Sequence, residues 1–152
     1  MIEILIDADA CPVKDEIYKV AWRYELPVTV VSNAMMRVPD HVLIKRVVVS
    51  DGFDAADDWI VENLKPKAIV ITSDILLADR CLKEGCGAVL APNGKPFTDA
   101  SIGNAVAVRA IMADLRSGAM GDSIGGPPPF SKADRSRFLS ALDSCVVKLR
   151  RA

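Results

Sequence analysis

Short apolar runs recur along the chain at residues 2–6, 28–31, 44–49, 68–71 and 88–90. They are rich in Val and Ile and continuous rather than alternating, the pattern of strands buried on both faces of a parallel sheet. Between them the apolar positions fall at helical spacing. Val13, Ile17, Val20, Ala21 and Tyr24 share one helix face, with Pro12 in the favoured first-turn place. Ala55, Ala56, Trp59, Ile60 and Leu64 mark a second helix, closed by Lys65-Pro66. Ile75, Ala78 and Leu82 mark a third, with Gly85 as its C-cap. Thr98 caps a long helix running to about residue 116, striped by Ala105, Val108, Met112 and Leu115. Ser131-x-x-Asp134 reads as a capping box before a last helix carrying Phe138, Leu142, Cys145 and Leu149. Strands alternating with helices predict an α/β fold: a three-layer sandwich around a mostly parallel five-stranded sheet.

The stretch 118–130, with Gly125-Gly126-Pro127-Pro128-Pro129 at its centre, is neither helix nor central strand. The residues beyond it are too few for a core of their own. Residues 1–152 are therefore read as one domain, with a Gly/Pro-rich loop at 118–130 and a C-terminal helix that packs back.

Composition narrows the functional classes. The chain is 51% apolar and 26% charged with a net charge of -1, which argues against a disordered or strongly basic protein. Any nucleic acid must be gripped by a local patch. No apolar run approaches the roughly 20 residues of a membrane helix. The first residues read as a strand rather than a signal peptide. Cys11, Cys81, Cys86 and Cys145 then suggest free thiols in a reducing, cytoplasmic setting. Cys81-x4-Cys86 is read as small core residues rather than a zinc site, and Trp22 and Trp59 as core.

The aspartates cluster at particular places. Asp7 and Asp9 follow the first strand and Asp74 follows the fourth; Asp54, Asp57 and Asp58 open the second helix, and Asp79 lies one turn into the third. Ligands of open parallel sheets bind beyond the carboxyl ends of the strands, where strand order reverses. If strands one and four are neighbours, Asp7, Asp9 and Asp74 converge there. Clustered carboxylates repel unless a cation neutralises them, and Mg²⁺ or Mn²⁺ suits oxygen ligands. Phosphoryl transfer or phosphodiester hydrolysis is the matching chemistry. The structural alternative is that Asp54 and Asp74 are helix N-caps and that Asp57 and Asp58 complement a helix dipole.

Several motifs together resemble the YaiI/YqxD family. They are Asp7-Ala8-Asp9-Ala10-Cys11-Pro12-Val13-Lys14, Ser32-Asn33-Ala34, Gly52-Phe53-Asp54-Ala55-Ala56-Asp57, Thr72-Ser73-Asp74, the run from Gly125 to Phe130, and Asp134-Arg135-Ser136-Arg137-Phe138. That family is in turn similar to PIN-like and NYN-type domains, many of them Mg²⁺- or Mn²⁺-dependent ribonucleases. The resemblance implies a PIN-like fold and a catalytic set of Asp7, Asp54 and Asp74, with Asp9 and Asp58 as auxiliaries. Where such domains often carry a second acid after strand four, this chain has Leu76, leaving Asp79 as the nearest substitute. Asp-x-Asp at Asp7 and Asp9, Ser32, and Asp74-x4-Asp79 also resemble haloacid-dehalogenase-type phosphohydrolases. There Asp7 is the nucleophile, Asp9 the general acid/base and Ser32 the phosphoryl holder, although Cys11 stands where Thr or Val is usual.

The phosphate-binding candidates are Lys14, Ser32, Asn33, Arg37, Ser73, Arg135 and Arg137. Aromatic residues make up only 5% of the chain, and the sequence shows no stacking platform for bases. Three readings stand: a metal-dependent hydrolase of phosphoesters, with RNA as expected substrate; a phosphatase using Asp7; and a non-catalytic nucleotide- or RNA-binding protein.

Overall fold

The computed structural model describes residues 2–8, 11–50, 55–103 and 130–151. Its elements are β1 (Glu3–Asp7), α1 (Lys14–Tyr24), β2 (Val28–Ser32), β3 (Ile44–Val48), α2 (Ala55–Glu62), β4 (Ala68–Ile71), α3 (Ile75–Lys83), β5 (Ala88–Leu90) and α4 (Lys132–Arg151). Residues 99–103 are also helical, opened by a reciprocal cap between Thr98 and Ser101. The remainder of the long helix expected there, and the Gly/Pro-rich stretch up to Pro129, lie outside the described residues.

All five strands are parallel, in the order β3-β2-β1-β4-β5. The chain builds outward from β1 through β2 to β3, then returns to the other side of β1 to add β4 and β5. The strand order therefore reverses between β1 and β4. Successive strand residues face opposite layers. Ile4, Ile6, Val28, Val30, Ile69 and Ile71 pack with α1 and α4, whereas Leu5, Val31 and Val70 pack with α2 and α3. Full burial of each such side chain contributes about 1.5–3 kcal/mol. The result is an α/β fold with helices on both faces of a parallel sheet.

The helix ends follow local chemistry. Gly85 takes a left-handed φ of +80° just past α3, and its N–H reaches the Leu82 carbonyl at 3.0 Å. Ser131 and Asp134 form the expected capping box at the start of α4: Ser131 N–H donates to Asp134 Oδ2 at 3.0 Å and Asp134 N–H to Ser131 Oγ at 3.1 Å. Phe138, Leu142 and Val146 of α4 are fully buried against the α1 layer. The cap of α1 was not legible: Glu25 adopts φ 56°, a place usually left to Gly or Asn.

Three expectations need correction. β3 is an edge strand with Lys45, Arg46 and Val48 exposed, not a strand buried on both faces. Its charged residues guard an open edge. Trp22 is 43% exposed, because it falls off the α1 face built on Ile17, Val20 and Ala21; its ring packs beside Tyr18 and His41 instead. In α3 the fully buried residues are Leu77, Ala78 and Cys81, so the buried face is rotated from the Ile75–Leu82 stripe.

Candidate functional site

The register of β1 on β4 pairs Ile6 with Ile71, so the next residues, Asp7 and Thr72, emerge side by side. The Thr72 hydroxyl donates to Asp7 Oδ2 at 2.8 Å and accepts the Asp74 N–H at 3.0 Å. Thr72 is 1% exposed, and its own N–H is held by the Leu90 carbonyl of β5 at 3.1 Å. Asp74 caps α3, with Oδ1 accepting Leu76 N–H at 2.9 Å and Leu77 N–H at 3.4 Å. One buried hydroxyl thus bridges the Asp7 carboxylate and the Asp74 backbone N–H at the point where strand order reverses. Asp74 serves as a cap and also stands at the candidate site.

The other acids have different surroundings. Asp58 of α2 pairs with Arg80 of α3 at 3.0 Å. Asp79 Oδ2 accepts from Lys83, one turn along its own helix, at 2.8 Å. The structure therefore engages Asp58, one of the two expected auxiliaries, and the substitute Asp79 with basic side chains. Asp9 and Asp54 lie outside the described residues. Among the described residues, no group of three or more His, Cys, Asp or Glu side chains is disposed to hold a metal ion. Asp7 and Asp74 are the two described acids joined through Thr72. Two carboxylates are a donor number that Mg²⁺ or Mn²⁺ commonly takes, together with substrate phosphate oxygens.

The phosphate-binding candidates also separate. Ser73 is exposed between Thr72 and Asp74, and Arg37 is exposed on the crossover after β2. Ser32 is fully buried, and its hydroxyl donates to the Ala34 carbonyl at 2.6 Å, so it shapes a turn instead of facing a substrate. Asn33 follows in the same turn. Lys14 donates to the Cys11 carbonyl at 2.9 Å. Arg135 donates to the Pro12 carbonyl at 2.6 Å and approaches Glu16 at 3.4 Å, fastening α4 to the loop between β1 and α1. Arg137 is paired with Asp134.

None of the four thiols is poised as a nucleophile. Burial pushes Cys11 up, outweighing the Val13 N–H and the Lys14 charge. Burial likewise pushes Cys81 up to about 12, and raises Cys86 and Cys145.

Sequence reasoning missed two features of this edge. Thr72 is the link between the acids, although the run Thr72-Ser73-Asp74 was visible. Two aromatic residues far apart in the chain, Phe97 and Phe130, also meet in one groove of about 480 Å³ beside the acids.

The profile of the family described as "Uncharacterized BCR, YaiI/YqxD family" matches residues 5–148. A UPF0178 protein of Sphingopyxis alaskensis is 70% identical over 148 residues, covering 97% of this chain and 95% of the relative. UPF0178 proteins of Rhodopseudomonas palustris strain TIE-1 and Nitrobacter winogradskyi are 59% and 56% identical over 151 residues, each covering 99% of this chain and 94% of the relative. No solved structure matches. The chain belongs to the YaiI/YqxD family.

Proposed function

We propose that the carboxyl edge of the sheet is a divalent-cation-dependent phosphodiesterase site of PIN-like kind, with RNA as its substrate. The observation that carries this reading is the Asp7–Thr72–Asp74 link at the strand-order reversal. Asp7 and Asp74 would hold Mg²⁺ or Mn²⁺, with Asp9 and Asp54 completing the set as the PIN-like resemblance implies. The cation, when bound, supplies Lewis acidity at a phosphate oxygen and a water of lowered pKa. Thr72 keeps its hydroxyl proton on Asp7 Oδ2 and so fixes how that carboxylate is presented. Ser73 offers an exposed hydroxyl to the phosphate, and Arg37 an exposed charge to the backbone. The buried, turn-bound hydroxyl of Ser32 counts against the phospho-aspartate alternative, which needs it on the phosphoryl group.

The test is Mn²⁺ and Mg²⁺ titration, with RNA cleavage by the purified protein. Chelation by EDTA should abolish cleavage. Asp7→Asn should lose cation binding and reduce cleavage at least a hundredfold. Unchanged metal-dependent cleavage in both Asp7→Asn and Asp74→Asn would overturn the reading. Cation binding without any turnover would favour a non-catalytic nucleotide- or RNA-binding protein.

A further inference from the structure

The groove beside the acids is built from four separate parts of the chain. Pro12 comes from the loop after β1, Ser73 and Ile75 from the turn after β4, Phe97 from beyond β5, and Phe130 from just before α4. We infer that this groove binds the heterocyclic base of a nucleotide whose phosphate lies toward Asp7 and Asp74. The inference names the substrate class of the site proposed above and, in its catalytic consequence, rests on that reading.

Chemistry, size and rigidity point the same way. Pro12, Ile75, Phe97 and Phe130 supply flat or apolar walls, and an aromatic ring can stack on any base. Asn93 and Lys95 also line the groove, and no acidic residue is among the described lining residues. Asn93 Oδ1 accepts a hydrogen bond from the Lys95 N–H at 3.0 Å, which leaves the amide NH₂ as a donor for a base carbonyl or ring nitrogen. Lys95 puts positive charge beside the apolar walls, and the guanidinium of Arg135, paired with Glu16, lies 5.1 Å from the Phe130 ring centroid. An apolar slot with a cationic rim complements a base carrying a phosphate. It does not complement a purely apolar or a cationic ligand. A volume near 480 Å³ lies within the range of small-ligand sites.

The walls are already fixed. Gly94 turns at φ +88°, and a Cβ there would stand 2.9 Å from the Arg137 backbone, so the turn after β5 sits directly on α4. Ala91 N–H to the Lys95 carbonyl at 2.9 Å closes that turn. Arg135 holds Pro12 through its carbonyl at 2.6 Å, which ties the loop after β1 to the same helix. A ligand would meet a groove whose ordering cost is largely met on folding.

The test is saturation-transfer NMR and calorimetry with adenosine monophosphate, adenosine and ribose phosphate, in EDTA so that no cation contributes. Adenosine monophosphate should bind at least tenfold tighter than ribose phosphate. Phe130→Ala should weaken adenosine monophosphate about tenfold, and Lys95→Gln should remove its advantage over adenosine. Should Phe130→Ala fold poorly, Ser73→Trp at an exposed position fills the groove and should block binding. Equal binding of ribose phosphate and adenosine monophosphate, or full binding by Ser73→Trp, would overturn the inference. Because no cation is present, either result leaves the cleavage test of Asp7 and Asp74 intact, and a failed cleavage test leaves the groove standing as a nucleotide site.

Discussion

The acids at the strand ends and the acids on the helix faces are treated differently by the same fold. Asp58 and Asp79 sit on helices within reach of long basic side chains, and Arg80 and Lys83 pair with them. Such pairing is what surface helices do routinely, and it contributes little. At the sheet edge the buried Thr72 hydroxyl donates to Asp7, and the amides at the start of α3 donate to Asp74. Hydrogen bonds of this kind orient a carboxylate. Equal acids in the sequence are thus held by different groups in the fold.

The comparison can be broken at four points, from the largest expected effect to the smallest. Thr72→Val removes the hydroxyl while keeping the volume, and takes one partner each from Asp7 and from the Asp74 N–H. It should cost about 1–3 kcal/mol in denaturant unfolding and should abolish cation binding. Thr72→Ser should restore both, and a silent Thr72→Val would show that the link does nothing. Asp74→Ala should cost about 1 kcal/mol through the lost cap. Asp74→Asn should keep most of that stability yet lose the cation, separating the two roles of one residue. For the helix-face acids, Arg80→Gln and Asp58→Asn should show a coupling below about 1 kcal/mol in a double-mutant cycle and leave cation binding unchanged. Loss of binding in Asp58→Asn would erase the distinction between the two groups.

The smallest effect is a pH dependence. The Asp134 carboxyl is held below the usual carboxylate range, first by the Ser131 backbone N–H, then by Arg137 and the Ser131 hydroxyl. Its folded value lies below the unfolded value of about 3.9, so its contribution is fully present above that pH. The contribution is lost as pH falls through the folded value. Asp134→Asn should flatten the acid arm of the stability curve slightly and leave neutral cation binding untouched.

Much of this architecture was legible along the chain. The five apolar runs became the five strands, and the Gly85 C-cap and the Ser131–Asp134 box formed as local chemistry dictates. Each depends on residues near one another in sequence. Trp22 and β3 were misread because exposure is decided by what a neighbouring element covers. The convergence of Asp7 with Asp74 was conditional on the two strands being neighbours, and the parallel register supplied that condition. Thr72 as their link, and the meeting of Phe97 with Phe130, had no local signature.

By itself the sequence determined the element order, the α/β class and the family. It also placed aspartates just after two strands. Periodicity and capping are short-range properties, so they can be read one segment at a time. Only the tertiary structure decided that Arg80 pairs with Asp58, that Thr72 links Asp7 to the Asp74 N–H, and that four distant segments line one groove. Those outcomes depend on strand order, register and the packing of α4 onto α1, which bring together residues as far apart as Pro12 and Arg135. No local pattern along the chain encodes such distances.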